Sequence, residues 1–333
     1  MDLIFKTIPE IPVWPQLPNR APEEGMIVQY LQGFPGVVWA RSSGHLFVNM
    51  ESRDFDEEVV RFYERFLQTS ETNHPEVLDY FQISREYAAG FYKFKEHLNK
   101  RATRVAGVKY VKGHVTGPIT LGLGLPDQTG KPVYYSDQMR DVVVKTVALK
   151  AKWQIAHLKE YEKPVIIFID EPTLASFGSS AMISVSGEHV ISALNEVISA
   201  IHQIGGIAGV HCCGNTDWSI IFKTDVDILS FDAFDFGDSL FLYPEELTAF
   251  LRTGGTIAWG IVPTDEERMH GESAESLHFR YEGLIHRIAD LGVSTEDAHA
   301  ASLFTPSCGM SSVGIGSAER ICKILSCLKA KRY

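Results

Sequence analysis

From residue 105 onward, short apolar runs alternate with longer amphipathic segments. The apolar runs predict strands at 108–111, 165–169, 207–210, 228–231, 256–259 and 301–304. The segments between them predict helices at 138–160, 189–204, 215–223, 244–253, 275–291 and 317–329. In helix 189–204 the apolar residues recur every three or four positions, which is the spacing of a helix with one buried face. Strands that alternate with helices in this way predict βαβ units and a parallel sheet.

The amino-terminal part adds two short strands, at 37–39 and 46–48, and helices near 55–67 and 85–100. Seven or eight strand–helix units favour an α/β fold with a closed (β/α)8 TIM barrel. We expect a single domain over residues 1–333, in which 1–104 form an elaborated amino-terminal segment and 105–333 carry the motifs. An open, doubly wound sheet is the alternative. The chain lacks a P-loop motif and a G-x-G-x-x-G motif after a first strand, which disfavours nucleotide binding.

Composition narrows the range of partners and compartments. The 333 residues include 42 acidic and 31 basic side chains, for a net charge of −11, with no dense basic run. This balance argues against nucleic acid or an anionic membrane as the main partner. The start contains four prolines within its first 18 residues where a signal peptide needs an apolar run, and no stretch approaches the roughly 18 apolar residues of a membrane span. We therefore expect a cytoplasmic protein.

Residues of kinds common in active sites follow most of the predicted strands. They are His114, Thr116 and Gly117, then Asp170 and Glu171, then His211, Cys212 and Cys213, then Asp232, and finally Cys308. In a (β/α)8 barrel the catalytic groups lie at the carboxyl ends of the strands. These residues are of the types that bind zinc or move protons, and the fold prediction places them at one end of the barrel.

His211 and Cys213 form an H-x-C pattern. In an extended segment the side chains of residues i and i+2 point the same way, so an imidazole and a thiolate can face one ion. Asp232 and Cys308 would each arrive from the end of a later strand. One imidazole, two thiolates and a carboxylate make a tetrahedral zinc site. The alternative for His211 is a hydrogen-bonded histidine within the barrel.

The remaining three of the five cysteines have a simpler interpretation. Cys212 should point away from its neighbours, into the wall of the barrel. Cys322 and Cys327 lie on the last predicted helix, where a cysteine acts as a small apolar side chain. Five cysteines are too few for a disulfide framework, so metal binding is the more informative hypothesis.

Five motifs together resemble the catalytic barrel of cobalamin-independent methionine synthase. They are T-G-P-I-T at 116–120, I-D-E-P at 169–172, H-x-C at 211–213, Asp232, and P-S-C-G at 306–309. Residues 105–330 are also similar to the zinc methylcobamide:thiol methyltransferases, in the superfamily that includes uroporphyrinogen decarboxylase. The resemblance implies zinc held by His211, Cys213, Asp232 and Cys308. Methionine synthase usually has Glu where this chain has the shorter Asp232.

The resemblance also implies roles around the substrate. Asp170 would bind the amino group of homocysteine. Beside this implied role, we expect Glu171, Thr116 and Gly117 to bind substrate. We expect His114 to be a catalytic group that acts on the donor side or supports the residues in contact with substrate. Each residue has an alternative role. Asp170 could cap the following turn, Glu171 could pair with a basic neighbour, and His114 could be a structural polar residue.

Two absences bear on the methyl donor. After T-G-P-[VI]-T the folate-dependent enzyme has a Trp on which the pterin stacks, whereas this chain has no aromatic residue from Thr120 to Leu125, and Gly124 lies in that segment. That enzyme also has a His that protonates the departing folate, and Val262 stands in its place. Methylcobalamin needs no such acid. We therefore predict methyl transfer from methylcobalamin, or from a methylated corrinoid protein, to zinc-activated homocysteine, giving methionine.

Several other functions are compatible with part of these sequence features. A folate-dependent methionine synthase-like enzyme and a methylcobamide:coenzyme M-type methyltransferase would share the zinc site. A metal-free uroporphyrinogen decarboxylase-like enzyme would have no use for two thiols and a histidine at strand ends. A corrinoid-binding scaffold without catalysis would not need a complete ligand set.

Overall fold

The computed structural model describes residues 1–71, 75–100, 107–182 and 184–331. The chain forms two compact units, and each draws on segments that are distant in sequence. Unit 1 comprises Met1–Pro12, Glu171–Ile191 and Ala208–Tyr333, and unit 2 comprises Val13–Asp170 and Ser192–Ile207. That residues 1–333 act as one domain stays a prediction.

Six strands form a parallel sheet, in which they follow one another in the order of the sequence. The strands of the chain are β1 Val37–Ala40, β2 His45–Val48, β3 Val111–Thr116, β4 Val165–Asp170, β5 Ile207–Cys212, β6 Ile228–Phe231, β7 Thr256–Val262 and β8 Ser302–Pro306. The sheet runs from β3 to β8, whereas β1 and β2 form a separate two-stranded sheet. The sequence of β4, V-I-I-F-I-D, shows why it is central. Its first five residues are buried, as expected for a parallel strand that is covered on both faces.

Several of the helices begin at a polar residue whose side chain caps the first turn. The α-helices that the structure describes are α1 Asp2–Thr7, α2 Phe55–Glu71, α3 Pro75–Leu78, α4 Ala89–Lys100, α5 Pro118–Gly124, α6 Asp137–Leu158, α7 Gly187–Gln203, α8 Trp218–Phe222, α9 Ala233–Phe236, α10 Pro244–Arg252, α11 Glu266–His270, α12 Ala274–Asp290, α13 Thr295–Ala300 and α14 Ile315–Lys331. Ser136 caps α6, and Ser273 with Ser276 forms a reciprocal capping box on α12. None of the helices in the described residues is long and apolar enough to cross a membrane.

The closed eight-stranded barrel predicted from the sequence is wrong. The two apolar runs near residues 37–48 do not join the parallel sheet, because they pair with each other as an antiparallel hairpin, from Val37↔Val48 to Ala40↔His45. Near the amino terminus, Val13 makes a single parallel bridge to Lys112 and no strand. Within the described residues the parallel sheet therefore has six strands. Its sequential order also differs from that of a doubly wound sheet, in which the strand order reverses.

The start of β3 is a second correction. The apolar run at 108–111 predicted a strand that ends before His114, but β3 begins at Val111 and ends at Thr116. Val111, the first residue of β3, pairs with Val165 of β4, and its amide donates to the carbonyl of Pro164, directly before β4, at 3.1 Å. Lys112 and His114 therefore lie inside a strand. The sequence pattern missed this, because polar residues in a buried strand look like the start of a loop.

A buried lysine ties unit 2 together. Lys150 lies on α6 with no exposed surface, and its Nζ donates to the Gln32 carbonyl at 2.7 Å and to the Gln82 carbonyl at 2.9 Å. Burial lowers the pKa of Lys150 to about 7. A neutral amine still has two hydrogens, which is enough for both bonds. One side chain thus anchors two loops to the longest helix described.

We expect Lys150→Met to lower the free energy of unfolding by about 2–4 kcal/mol, because two buried carbonyls lose their donor. Urea denaturation measures the change, and Lys323→Met at an exposed site on α14 is the control. Between about pH 7 and 10, Lys150 is protonated in the unfolded chain but mostly neutral in the folded chain. Raising the pH through this range therefore increases the free energy of unfolding of the wild type relative to that of Lys150→Met. A stability difference that stays constant with pH would contradict a buried amine of lowered pKa.

Candidate metal centre

The H-x-C pattern lies where β5 ends. The strand extends to Cys212, two residues further than predicted, so His211 belongs to the strand itself. Cys212 is fully buried, as expected for a side chain that points away from its two neighbours, while His211 and Cys213 are half-buried. The alternation along the strand therefore leaves the imidazole and the Cys213 thiol accessible.

The third predicted ligand, Cys308, lies in the turn after β8. The Ser307 amide donates to the Val262 carbonyl at 2.8 Å, and the Ser307 hydroxyl lies 3.1 Å from that of Thr264. Gly260 permits this close approach, because a Cβ there would collide with the Phe231 carbonyl and lie 2.9 Å from Ser307 Cα. The backbone of β7 thus fixes the position from which Cys308 projects.

These elements bring three predicted zinc ligands together. One ligand atom each of His211, Cys213 and Cys308 lies within 4.8 Å of the other two. In a tetrahedral zinc site with bonds of about 2.0–2.3 Å, ligand atoms are about 3.5–3.8 Å apart. Side-chain movements of an ångström or less bring the three atoms to that spacing. Two sulfurs and an imidazole nitrogen are also the donor set that zinc prefers, so the residues fit this metal.

A serine that the sequence analysis missed orients the histidine. Ser230 on β6 is the register partner of His211, and its Oγ lies 3.0 Å from His211 Nδ1. Because the Ser230 hydroxyl is buried, its hydrogen bond holds the imidazole ring in one orientation. Since Nδ1 is engaged, Nε2 is the nitrogen left for a metal. A hydrogen bond of this kind to the second ring nitrogen is usual for histidines that bind metals. The signal in the sequence was a serine within an otherwise apolar strand.

The two thiols differ in their readiness to ionise. Cys308 accepts hydrogen bonds from the side chains of Cys213 and His211, and these bonds hold the pKa of Cys308 well below its usual range. The pKa of Cys213 is raised, because its proton is shared with Cys308 and because it is partly buried. The hydrogen bond between the two thiols therefore favours the thiolate form of Cys308 over that of Cys213.

Asp232, the predicted fourth ligand, lies outside this group of three. It is the N-cap of α9, and its Oδ1 accepts from the Asp235 amide at 3.0 Å. Burial is the main cause that raises its pKa to about 6; the negative charge of Cys308 adds to this, and Arg268 and His211 oppose it. The carboxylate thus interacts with the cluster through charge while its side chain caps a helix. Its role as a ligand stays a prediction.

The residues predicted in unit 2 have defined structural contacts. Thr116 donates its hydroxyl to the Met26 carbonyl at 2.6 Å, and Gly117, at the N-cap of α5, donates its amide to the Asp170 carbonyl at 2.8 Å. The Asp170 carboxylate at the end of β4 is half-buried and interacts through charge with Lys112 and Tyr30. His114 lies within β3 and is almost fully buried.

Glu171, in unit 1, lies beside the metal-ligand residues. Its backbone amide donates to the His211 carbonyl at 2.8 Å, and its side chain has no exposed surface. This contact fixes the backbone at the end of β5, directly before Cys213. A positioning role for Glu171 follows from the structure, whereas contact with substrate stays a prediction.

The two positions that bear on the methyl donor offer neither stacking nor a proton. Val262 ends β7 and is fully buried. Gly124 ends α5, where an added Cβ would lie 2.8 Å from Ile27 Cδ1. A larger side chain at Gly124 would thus require Ile27 to move.

Comparison of the chain with protein-family models finds no match, and comparison with curated proteins finds no relative. The resemblance drawn from the five sequence motifs is therefore a hypothesis about function. The cluster of His211, Cys213 and Cys308 is an independent structural observation that supports it.

We expect about one zinc per chain in the wild type and little in Cys308→Ser, because serine replaces one of only two thiolate donors. Metal analysis of dialysed protein by plasma mass spectrometry measures this. Cys327→Ser, at an exposed site on α14, is the matched control and should retain zinc. Full zinc content in Cys308→Ser would exclude the assigned site.

In metal-free protein, Cys308 should be alkylated by iodoacetamide at similar rates at pH 6 and pH 8. The reason is that the thiolate is the reactive form, and hydrogen bonds from His211 and Cys213 preserve it in Cys308. Peptide mass spectrometry follows each cysteine separately. His211→Ala should slow the reaction at pH 6. A rate for Cys308 that falls in parallel with that of Cys213 would show that the thiolate is not stabilised.

Proposed function

We propose that this protein is a zinc-dependent thiol S-methyltransferase. Its acceptor is homocysteine, which yields methionine, and its donor is methylcobalamin or a methylated corrinoid protein. The observation that carries the proposal is the cluster formed by His211, Cys213 and Cys308. The same three residues belong to the motifs that resemble methionine synthase.

The donor set favours thiol chemistry over hydrolysis. Zinc bound by two thiolates is a weak Lewis acid, and it supplies a site where a substrate thiol loses its proton yet remains nucleophilic. Hydrolytic zinc sites more often use neutral histidines and an open water position. We also propose a cytoplasmic location, where cellular reductants keep Cys213 and Cys308 as free thiols.

The surrounding residues support this chemistry in separate ways. Ser230 holds the imidazole of His211 so that Nε2 is available, and the Glu171 amide fixes the His211 backbone. Asp232 is the exchangeable fourth ligand in this proposal, and it would leave its cap on α9 to bind. Asp170 attracts the ammonium group of the acceptor, which favours an amino acid over an acceptor with an anionic end group alone, such as coenzyme M.

The choice of donor follows from the leaving group. A folate amine is a poor leaving group unless it is protonated, and the buried Val262 cannot supply a proton. Cob(I)alamin leaves without protonation. A decarboxylase-like function is disfavoured, since it would leave the clustered thiols and imidazole without a role.

The zinc-loaded protein should transfer methyl from methylcobalamin to homocysteine but not from methyltetrahydrofolate. Loss of a general acid typically lowers a rate by about 10²–10⁴-fold, so turnover with folate should lie at least that far below turnover with the corrinoid. The absorbance change of methylcobalamin reports demethylation, and chromatography quantifies methionine.

Cys308→Ser should abolish the reaction and Cys327→Ser should not. Efficient methionine formation from methyltetrahydrofolate without corrinoid would overturn the donor assignment. Consumption of methylcobalamin only in the presence of another thiol would overturn the homocysteine assignment and leave the donor assignment intact.

A further inference from the structure

One face of the β3–β4 pair in unit 2 carries Asp170 and, beside it, two polar side chains to which the proposed function assigns no role, Lys112 and His114. Because side chains alternate along a strand, Lys112, His114 and Thr116 point to the same side of β3. The register pairs His114 with Phe168 and Thr116 with Asp170. A cation, an imidazole and a carboxylate therefore share this face, which we call the β3–β4 polar face.

The imidazole of His114 has an unsatisfied nitrogen. The residue is only 7% exposed, and its ring stacks on Trp14 with centroids 3.9 Å apart. Among the residues that the structure describes, none forms a hydrogen bond with its Nε2. Burial lowers the pKa of His114 well below its usual value, with a further contribution from Lys112, so the ring is neutral. A buried polar atom without a partner costs about 1–3 kcal/mol. A ligand that bonded to Nε2 would recover this cost.

The backbone around His114 is held firmly in place. Its carbonyl accepts from Tyr30 Oη at 3.1 Å and from Gln154 Nε2 at 2.8 Å. Gly113 makes the second contact possible, because a Cβ at that position would collide with the Gln154 side chain. The unsatisfied nitrogen thus belongs to a rigid strand.

Lys112 supplies a positive charge at the same level of the sheet. Its Nζ lies 3.9 Å from the centroid of the Phe168 ring, and Phe168 is the register partner of His114. Burial lowers the pKa of Lys112 to about 8 and the charge of Asp170 opposes this, so the amine is still mostly protonated at pH 7. Lys112 is only half-buried and can be reached by a ligand.

The two donors are complementary to an anion, and Asp170 on the next strand is complementary to a cation. Thr116, the third residue of β3 on this face, already donates its hydroxyl to Met26. A ligand with a carboxylate and an ammonium a few ångströms apart matches this set, and an α-amino acid has both groups on one carbon.

We propose that the β3–β4 polar face binds the head group of an α-amino acid, with its carboxylate on Lys112 and His114 Nε2 and its ammonium on Asp170. The identification of this amino acid as the methyl acceptor or its product rests on the proposed function. The new assignment is the carboxylate site formed by Lys112 and His114, which makes both residues determinants of specificity for amino acids.

Calorimetric titration of the full-length protein, with and without zinc, tests the proposal. The ligands are L-methionine, 4-(methylthio)butanoate, which lacks the ammonium group, and 3-(methylthio)propylamine, which lacks the carboxylate. L-methionine should bind more tightly than either analogue. Lys112→Met should lower the affinity for L-methionine and for 4-(methylthio)butanoate by about 10- to 100-fold, the range of a charge-assisted hydrogen bond. It should change the affinity for 3-(methylthio)propylamine by less than about twofold.

Two further variants separate binding from structure. Lys112→Arg keeps the charge and should retain part of the affinity. Lys131→Met is the matched control, since Lys131 also lies over an aromatic ring, that of Tyr135, and should leave all three affinities unchanged. Equal weakening of all three ligands by Lys112→Met, or equal affinity of wild type for L-methionine and the amine, would overturn the carboxylate site.

Failure of the amino acid site and failure of the proposed methyltransferase function give different experimental results. Binding of L-methionine with the predicted pattern, in a protein that takes up no zinc, would contradict the methyltransferase and keep the amino acid site. If the protein methylates thiols in a zinc-dependent reaction but its affinity for L-methionine does not depend on Lys112, the methyltransferase proposal stands and the carboxylate site is contradicted.

Discussion

The alternation of side chains along a parallel strand is the constraint on which both candidate sites depend. In a parallel sheet every second residue faces the same side, and neighbouring strands place equivalent residues side by side. This geometry pairs His211 with Ser230 across β5 and β6, and it aligns Lys112 with His114 on β3. A shift of one residue in either strand would turn the functional side chains toward the opposite face.

The sequence predicted some elements well and others poorly, for physical reasons. The strand at 228–231 was located without error, because its buried residues form a continuous apolar run. The hairpin of β1 and β2 was misassigned, because an apolar run of four residues does not reveal its pairing partner. The start of β3 was missed because Lys112 and His114 break the apolar pattern. Such local violations of patterning are expected at functional sites.

The residues of the candidate metal site were likewise predicted only in part. The type and spacing of residues predicted that His211, Cys213 and Cys308 would meet, and their side chains do lie together. Asp232 was chosen by the same reasoning, yet an aspartate before a helix is also a good N-cap, and its hydrogen bond to the Asp235 amide holds it in that role. Ser230 stands out in the sequence as a serine within an apolar strand, but its contact with His211 follows only from the register between β5 and β6.

The order in which the ligands occur along the chain has a consequence for biosynthesis. His211 lies on β5 and Cys213 directly follows it, but Cys308 lies beyond β8, the last strand of the sheet. A ribosome-bound chain that has emerged only as far as β7 offers a metal just two of the three clustered donors. In the proposed zinc site, tight metal binding would therefore follow the docking of the last strand, and the bound metal would then stabilise the completed unit.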